Sequence, residues 1–345
     1  MSTGLNRGVV AALGAALLFG AGTPFAKLLL DRTDPWMLAA LLYLGSGLGL
    51  WLLRRVRRAE AVHPSRSEWV WLAGATVSGG VVGPVLLMFG LSSMSATGAS
   101  LLLNAEGVFT ALIAWFVFKE NFDKRIALGM LAIVAGAVVL SWPSEMSARV
   151  ELGALSVLGA CAAWAIDNNL TRKVSLADAT FIAMVKGLAA GSTNLLLAWK
   201  MGSAWPALPT MGAAALLGFL SYGSSLVLFV VALRHLGTAR TGAYFSVAPF
   251  FGALLGVLML KEPVTAPLLV AGALMALGVW LHLTESHGHL HTHEPEEHSH
   301  EHVHDAHHQH SHAHPVAQPH THVYAHTALE HSHEHFPDAH HRHPH

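Results

Sequence analysis

Long apolar runs, broken only by short polar stretches, fill the first 283 positions of the chain. A helix needs roughly 20 mainly apolar residues to cross about 30 Å of hydrocarbon. Ten segments meet or approach that length: 8–30, 36–53, 69–91, 95–118, 126–142, 151–170, 178–199, 211–233, 239–260 and 264–283. Each is rich in Gly and Ala, which suits close helix packing in lipid. Trp36, Trp69, Trp71, Trp142 and Trp280 fall near segment ends, where amphipathic rings anchor at the interface. The pattern predicts an all-α membrane protein with ten transmembrane helices.

Composition agrees. With 53% hydrophobic and 12% charged residues, the chain is too apolar for a soluble domain of this length. The net charge of −1 averages two unlike pieces. Residues 1–286 hold 19 basic and 13 acidic groups, whereas the stretch from His287 holds 8 acidic groups and one Arg. Cys161 is the sole cysteine, so no intrachain disulfide can form. No small-residue cleavage site follows the first apolar run, which is read as an uncleaved span.

Basic residues in the loops set the orientation. With the N-terminus in the cytoplasm, the inner segments hold 13: Arg7, Arg54, Arg55, Arg57, Arg58, Arg66, Lys119, Lys124, Arg125, Arg172, Lys173, Arg234 and Arg240. The outer loops hold only Arg32, Arg149, Lys200 and Lys261. Both termini are therefore expected in the cytosol, and the protein in the cytoplasmic membrane.

Residues 95–140 and 237–282 align without a gap at an offset of 142. Lys119-Glu120 falls on Lys261-Glu262, Phe109 on Phe251, Ala111-Leu112 on Ala253-Leu254, and Gly136 on Gly278. Five helices per copy is an odd number, so the second copy inserts upside down. Inverted repeats place a substrate site near the bilayer midplane and rock between two access states. The chain thus divides into repeats over 8–142 and 151–283, followed by a tail over 287–345.

The run Gly107-Val-Phe-Thr-Ala-Leu-Ile-Ala-Trp before Phe118-Lys119-Glu120, echoed as Leu260-Lys261-Glu262 after Pro249, resembles the EamA repeat of the drug/metabolite transporter superfamily. The resemblance covers residues 8–283. It implies secondary transport, with amino acids, metabolites, drugs or metal ions as cargo. It also departs at one point: Glu106-Gly107 stands where many members carry a Pro, as this chain does at Pro249.

A charge at the centre of a span costs about 2.5–3.5 kcal/mol on the insertion scale, so each needs a reason. Glu106, Asp167 and Lys186 lie well inside spans, and Asp167-Asn168-Asn169 is the most polar run within any of them. Lys27 and Arg240 sit near span ends and are expected to snorkel. Ser100 and Asn104, one turn apart, share a face, with Glu106 roughly opposite Asn104. Lys186 and Thr193, two turns apart, also share a face. Asn104, Glu106, Asp167, Asn168 and Lys186 form the candidate substrate and proton pathway, with Glu106 or Asp167 taking a proton or cation and Lys186 as counter-charge. The competing reading is a buried ion pair that only locks helices together.

From His287 to His345, 23 of 59 residues are histidine, with few large apolar side chains. Such a segment is expected to be disordered. Its spacing is mostly His-x-His: His287, His289, His291 and His293; His298, His300, His302 and His304; His310, His312 and His314. Neutral imidazole is a good ligand for Ni²⁺, Co²⁺ and Zn²⁺, and protons compete for the same nitrogens below about pH 6.5. No tightly bound cofactor is expected.

Together these features point to proton-coupled export of a divalent metal, with nickel or cobalt ahead of zinc and the tail collecting ions at the inner mouth. The resemblance to His-tailed members associated with nickel and cobalt resistance implies the same. Against it, none of the 26 histidines lies inside a span: His63 is in a loop, and His235 and His282 are at span ends. Two rivals remain: a metabolite or amino-acid exporter regulated by its tail, and a membrane-tethered metal buffer or sensor. No nucleophile–base set, phosphate loop or nucleotide motif is evident, so neither an enzyme nor a primary pump is expected, and no nucleic-acid partner. The expected partners are lipid, the transported ion or small molecule, and, as an open question, a second copy of the chain.

Overall fold

The computed structural model describes residues 2–62, 64–117, 124–141, 148–172, 174, 178–236 and 244–283, and 288–293, 297–302, 320–325 and 329–334 in the tail. Lys119, Glu120, His287, His304, His310, His312 and His314 lie outside the described residues. The chain divides into two units, Met1–Glu285 and Ser286–His345.

The first unit is helical: α1 (Ser2–Leu30), α2 (Pro35–Val56), α3 (Arg66–Ala75), α4 (Gly83–Ser93), α5 (Ala96–Leu102), α6 (Ala105–Phe116) and α7 (Lys124–Ser141). Then follow α8 (Ala148–Arg172), α9 (Ala179–Lys200), α10 (Leu208–Gly218), α11 (Ser225–Leu236), α12 (Ala248–Leu260) and α13 (Ala266–Leu283). Among the described residues, five helical stretches are long and apolar enough to cross a membrane: Arg7–Leu30, Pro35–Val56, Arg66–Ser93, Ala179–Lys200 and Leu208–Phe229. Ala127–Leu140, Ala248–Leu260 and Ala266–Leu281 are shorter apolar helices.

Two predicted continuous helices are interrupted. The fourth segment breaks between α5 and α6 at Leu103 and Asn104, and the ninth has a turn at Ser246 and Val247 before α12. At the repeat offset of 142 these breaks coincide to within one residue. The third and eighth segments each contain a π-helical stretch, Thr76–Val82 and Phe219–Ser224. Shifted by 142, the first of these spans 218–224, so the two irregularities also coincide.

Close approaches repeat in the same way. A Cβ on Gly136 of α7 would lie 2.9 Å from the Ala271 carbonyl oxygen, and one on Gly278 of α13 would lie 2.5 Å from that of Gly129. Gly129 and Ala271 are themselves 142 apart, so the two contacts exchange roles. Along these helices the partner number falls as the residue number rises, so α7 and α13 run antiparallel. The α2–α9 crossing behaves likewise, at an offset of 144: Gly47 meets Leu188, and Gly191 meets Leu44. Glycine is required there because backbone packs on backbone, with the Gly187 Cβ position 2.6 Å from the Gly47 nitrogen.

The caps of these helices match too. The Asp34 carboxylate accepts from the Trp36 and Met37 N–H groups at the start of α2, and Asp178 accepts from Phe181 N–H at the start of α9. Each cap is then tied to the other helix's far end. Ser203 Oγ donates to Asp34 at 2.8 Å, and Arg54 pairs with Asp178 at 2.8 Å.

In the tail, short extended segments are described where the sequence reading expects disorder. Four six-residue strands, β1 (Gly288–His293), β2 (Glu297–His302), β3 (His320–Ala325) and β4 (Leu329–Glu334), pair antiparallel as β1–β4 and β2–β3. His-x-His spacing is a period of two, the period of a strand, which is why extended ribbons suit it. His289, His291 and His293 lie on β1, and His298, His300 and His302 on β2.

Candidate functional site

Asp167, Lys186 and Thr171 form one closed group. α8 carries Asp167 and Thr171 one turn apart, and α9 brings Lys186 against them. Lys186 Nζ donates to both Asp167 oxygens, at 2.5 and 2.6 Å, and lies 3.3 Å from Thr171 Oγ1. Thr171 Oγ1 donates to Asp167 Oδ1 at 2.8 Å. Asp167 is buried at 6% exposure. The pair fits only because Gly79 of the first π stretch has no side chain: a Cβ there would lie 1.9 Å from Asp167 Oδ2. Asp167 and Lys186 thus neutralise each other.

Glu106 lies apart from that pair. It occupies the first turn of α6, next to the break, and its Oε1 accepts from Asn168 Nδ2 at 2.7 Å. Its hydrogen-bond partner among the described residues is therefore a neutral amide. One turn further on, Thr110 Oγ1 is buried with no hydrogen-bond partner among the described residues. Asn169 Nδ2 faces the same helix, donating to the Ala165 carbonyl at 2.8 Å and reaching the Thr110 carbonyl at 3.4 Å. The α6–α8 seam therefore carries one carboxylate, an unpartnered hydroxyl and two amides.

Asn104 plays a different part from the one expected. Its Nδ2 donates to the Leu101 carbonyl at 2.9 Å and lies 3.8 Å from Met275 Sδ, which seals the end of α5. Because α5 and α6 are separate helices, the expected placing of Glu106 opposite Asn104, read along one continuous helix, does not carry over.

The first π stretch leaves carbonyls that an α-helix would have engaged, and neighbouring helices meet them. Tyr43 OH and Trp164 Nε1 each donate to the Gly79 carbonyl at 2.8 Å, and Asn194 Nδ2 donates to that of Gly80 at 3.0 Å. Around these two rings lies an aromatic cluster. Phe19 of α1 meets Trp164 (6.2 Å between centroids), Tyr222 of the second π stretch (6.0 Å) and Phe245 (5.4 Å). Tyr43 meets Tyr222 at 5.4 Å, and Tyr43 is within electrostatic reach of both Asp167 and Glu106.

At the end of the bundle that carries residues 27, 94 and 262, a second polar group was missed in part. Lys261 ends α12 in the left-handed conformation, with φ of 54°. Glu262 follows, and its carboxylate accepts from the Ala96 N–H (2.7 Å) and the Thr97 N–H (2.8 Å), capping α5 of the other repeat. Lys27 does not snorkel. Its Nζ donates to the Leu91 carbonyl and, at 3.0 Å, to the Met94 carbonyl, satisfying the end of α4. The Lys-Glu doublet was the signal for Glu262, but only the fold shows what it touches.

Among the described residues, no three His, Cys, Asp or Glu side chains gather into a group that could hold a metal ion.

A bundle of apolar helices with paired breaks in two equivalent segments is the architecture of a multi-pass membrane protein. Residues 6–142 and 151–284 each match the EamA-like transporter family, and the chain belongs to that family. It is 26% identical to an uncharacterized transporter of Methanothermobacter thermautotrophicus, over 79% of this chain and 85% of that protein. Another uncharacterized transporter, from Archaeoglobus fulgidus, is also 26% identical, over 80% and 97%. A shorter match, 33% identical over 25% of this chain and 74% of the relative, is to a probable 4-amino-4-deoxy-L-arabinose-phosphoundecaprenol flippase subunit ArnE of Pseudomonas fluorescens. A crystal structure of 19% identity shares the fold with a TM-score of 0.62, over 79% of this chain and 94% of that one.

Proposed function

We propose that this transporter works in the cytoplasmic membrane as two inverted five-helix repeats, with both termini cytosolic, and exports a cationic cargo in exchange for protons bound at Glu106. The observation that carries this reading is the contrast between two carboxylates. Asp167 is held in an ion pair, whereas the hydrogen-bond partner of the Glu106 carboxylate among the described residues is the Asn168 amide. A carboxylate without a fixed counter-charge in a span is expensive unless it binds a proton or a cation, and binding either excludes the other. The reciprocal α7–α13 and α2–α9 contacts support an axis in the membrane plane, about which the repeats would alternate access.

The test is proton-driven uptake into inverted vesicles. Glu106→Gln should reduce gradient-driven accumulation to background, while the double change Asp167→Asn with Lys186→Met retains it. Loss in the double variant with retention in Glu106→Gln would overturn the assignment.

A second reading, efflux of Ni²⁺ or Co²⁺, is favoured by the His-x-His spacing of the tail. It expects ⁶³Ni²⁺ to enter the vesicle lumen with the gradient, and a chain ending at Ser286 to keep flux with weaker affinity. Nickel that binds in proportion to the tail and never enters the lumen would leave the tail as a buffer or sensor.

A further inference from the structure

We infer that the end of the α2–α9 pair where α2 begins is a headgroup site for a zwitterionic membrane lipid, with Arg32 taking the phosphate and Asp34 the primary ammonium of an aminophospholipid. The site stands apart from Glu106: none of the residues that line it lies on α6 or α8.

It follows from an incomplete match between the two helix caps. Asp178 uses both carboxylate oxygens: Oδ1 accepts from Phe181 N–H at 3.0 Å, and Oδ2 pairs with Arg54 Nη1 at 2.8 Å. Asp34 takes its three donors, the Trp36 and Met37 N–H groups and Ser203 Oγ, on Oδ1 alone. Among the described residues, Asp34 Oδ2 has no hydrogen-bond or ion-pair partner. At the offset of 144 that relates the two caps, the position of Arg54 is held by Ala198, which has no charge to offer. The α9 cap is completed by a cation and the α2 cap is not.

A cavity of about 560 Å³ opens beside the α2 cap, within the size range of small-molecule sites. Asp34 and Ser203 form part of its wall, and Arg32 forms another part. Arg32 is exposed, and among the described residues its guanidinium meets no acceptor, Asp34 included. Two opposite charges therefore line one cavity without pairing. A bare anion would gain Arg32 and be opposed by Asp34, and a bare cation the reverse. A ligand that carries both charges satisfies both. The guanidinium fork matches phosphate oxygens in two parallel hydrogen bonds, and an ammonium donates to a carboxylate oxygen as Arg54 does to Asp178. Thr33 Oγ1, buried in the same wall with no hydrogen-bond partner among the described residues, adds a hydroxyl next to Arg32 in the chain.

The surroundings favour a lipid over a soluble zwitterion. Trp36, Phe89 and Trp205 also line the cavity, with Trp36 edge-on to Phe89 at 5.8 Å between centroids. Met201 and Trp205 in the lining, and Leu208 just beyond it in the chain, are 66, 61 and 81% exposed. So apolar a border belongs against hydrocarbon, and tryptophan rings at a span end sit at headgroup depth. An amphiphile whose head lies between Arg32 and Asp34 keeps its chains against that border.

The experiment uses the full chain, delipidated in detergent and titrated with phosphatidylethanolamine, phosphatidylcholine and phosphatidylglycerol of matched chains. Native mass spectrometry counts the bound lipid, and glycerophosphoethanolamine serves as a soluble competitor. One saturable phosphatidylethanolamine per chain is expected, bound more tightly than either other lipid. Arg32→Gln, a change at an exposed position, should weaken it about 10-fold or more, the scale of a hydrogen bond to a charged group. Asp34→Asn, which keeps the cap, should erase the preference for ethanolamine over choline. Arg57→Gln, exposed at the other end of α2, should bind as the parent does. The inference is overturned if the three lipids bind the parent alike, or if Arg32→Gln and Asp34→Asn both bind as the parent does. Equal weakening by Arg57→Gln would reduce the effect to general surface charge and overturn it too. Displacement of the lipid by an equal concentration of glycerophosphoethanolamine would replace the lipid with a soluble zwitterion as occupant.

Discussion

Where the fourth segment breaks, the chain reads Leu103-Asn104-Ala105-Glu106-Gly107; where the ninth breaks, it reads Phe245-Ser246-Val247-Ala248-Pro249. The backbones agree and the chemistry does not. Glu106 has Ala248 as its counterpart, and Asn168, its partner on α8, has Ala26 on α1. The π stretches repeat the lesson. Gly79 makes room for Asp167, whereas the equivalent Ser221 carries a side chain, and among the described residues no ion pair presses on the second stretch. The repeated backbone is common to both halves, but the polar side chains are not, and of these two equivalent positions only 106 carries a carboxylate.

The sharpest way to break this comparison is to move the carboxylate across it. Adding Ala248→Glu to Glu106→Gln should fail to restore proton-driven exchange, because the position equivalent to Asn168 is Ala26, which has no amide to donate. Recovery of flux in vesicles would mean that the halves are functionally interchangeable. Next in size is the ion pair. Asp167→Asn or Lys186→Met alone should destabilise the protein by about 3–5 kcal/mol, since each leaves a buried charge unpaired. The double variant should recover most of that loss, as read by thermal unfolding in detergent.

Smaller effects test the scaffold. Gly79→Ala should cost about 1–3 kcal/mol through overpacking against Asp167, whereas Ser221→Ala should cost under about 1 kcal/mol. Equal melting shifts would show that the two π stretches are equally free of constraint. Smallest is Asp178→Asn, which keeps the cap on α9 and loses the Arg54 pair. Roughly 1 kcal/mol or less is expected, because the carboxylate is 38% exposed and water screens the pair. A larger shift would make the α2–α9 tie a principal fastening of the bundle.

Much of the frame was legible because it is written in periodicity and count. Long apolar runs define helices in lipid, and an identical Lys-Glu doublet at a fixed spacing announces a duplication. The breaks were not legible: Leu103 and Asn104 include neither Pro nor Gly, and only the fold shows that α5 packs on α12 while α6 packs on α8. Lys27 looked like an interfacial cation because sequence gives distance from a span end but not the carbonyls waiting there. Among the site residues, polarity found Glu106, Asp167 and Lys186, but could not say which two pair, since the outcome depends on a glycine about 90 positions away. The aromatic cluster left no trace in the sequence, because its members come from five separate segments and each is an ordinary ring residue on its own.

The matched π stretches also speak about ancestry. A π turn arises when one residue is inserted into an α-helix without lengthening its surroundings. Two such insertions at the same register in both halves are explained by a single event in a half-length ancestor, before the gene was copied and fused. The carboxylate at 106, present in one copy alone, then belongs to a later chapter. On this history the ancestor was a half-length helical unit that already carried its π turn, and the two copies diverged in side chains after they became one chain.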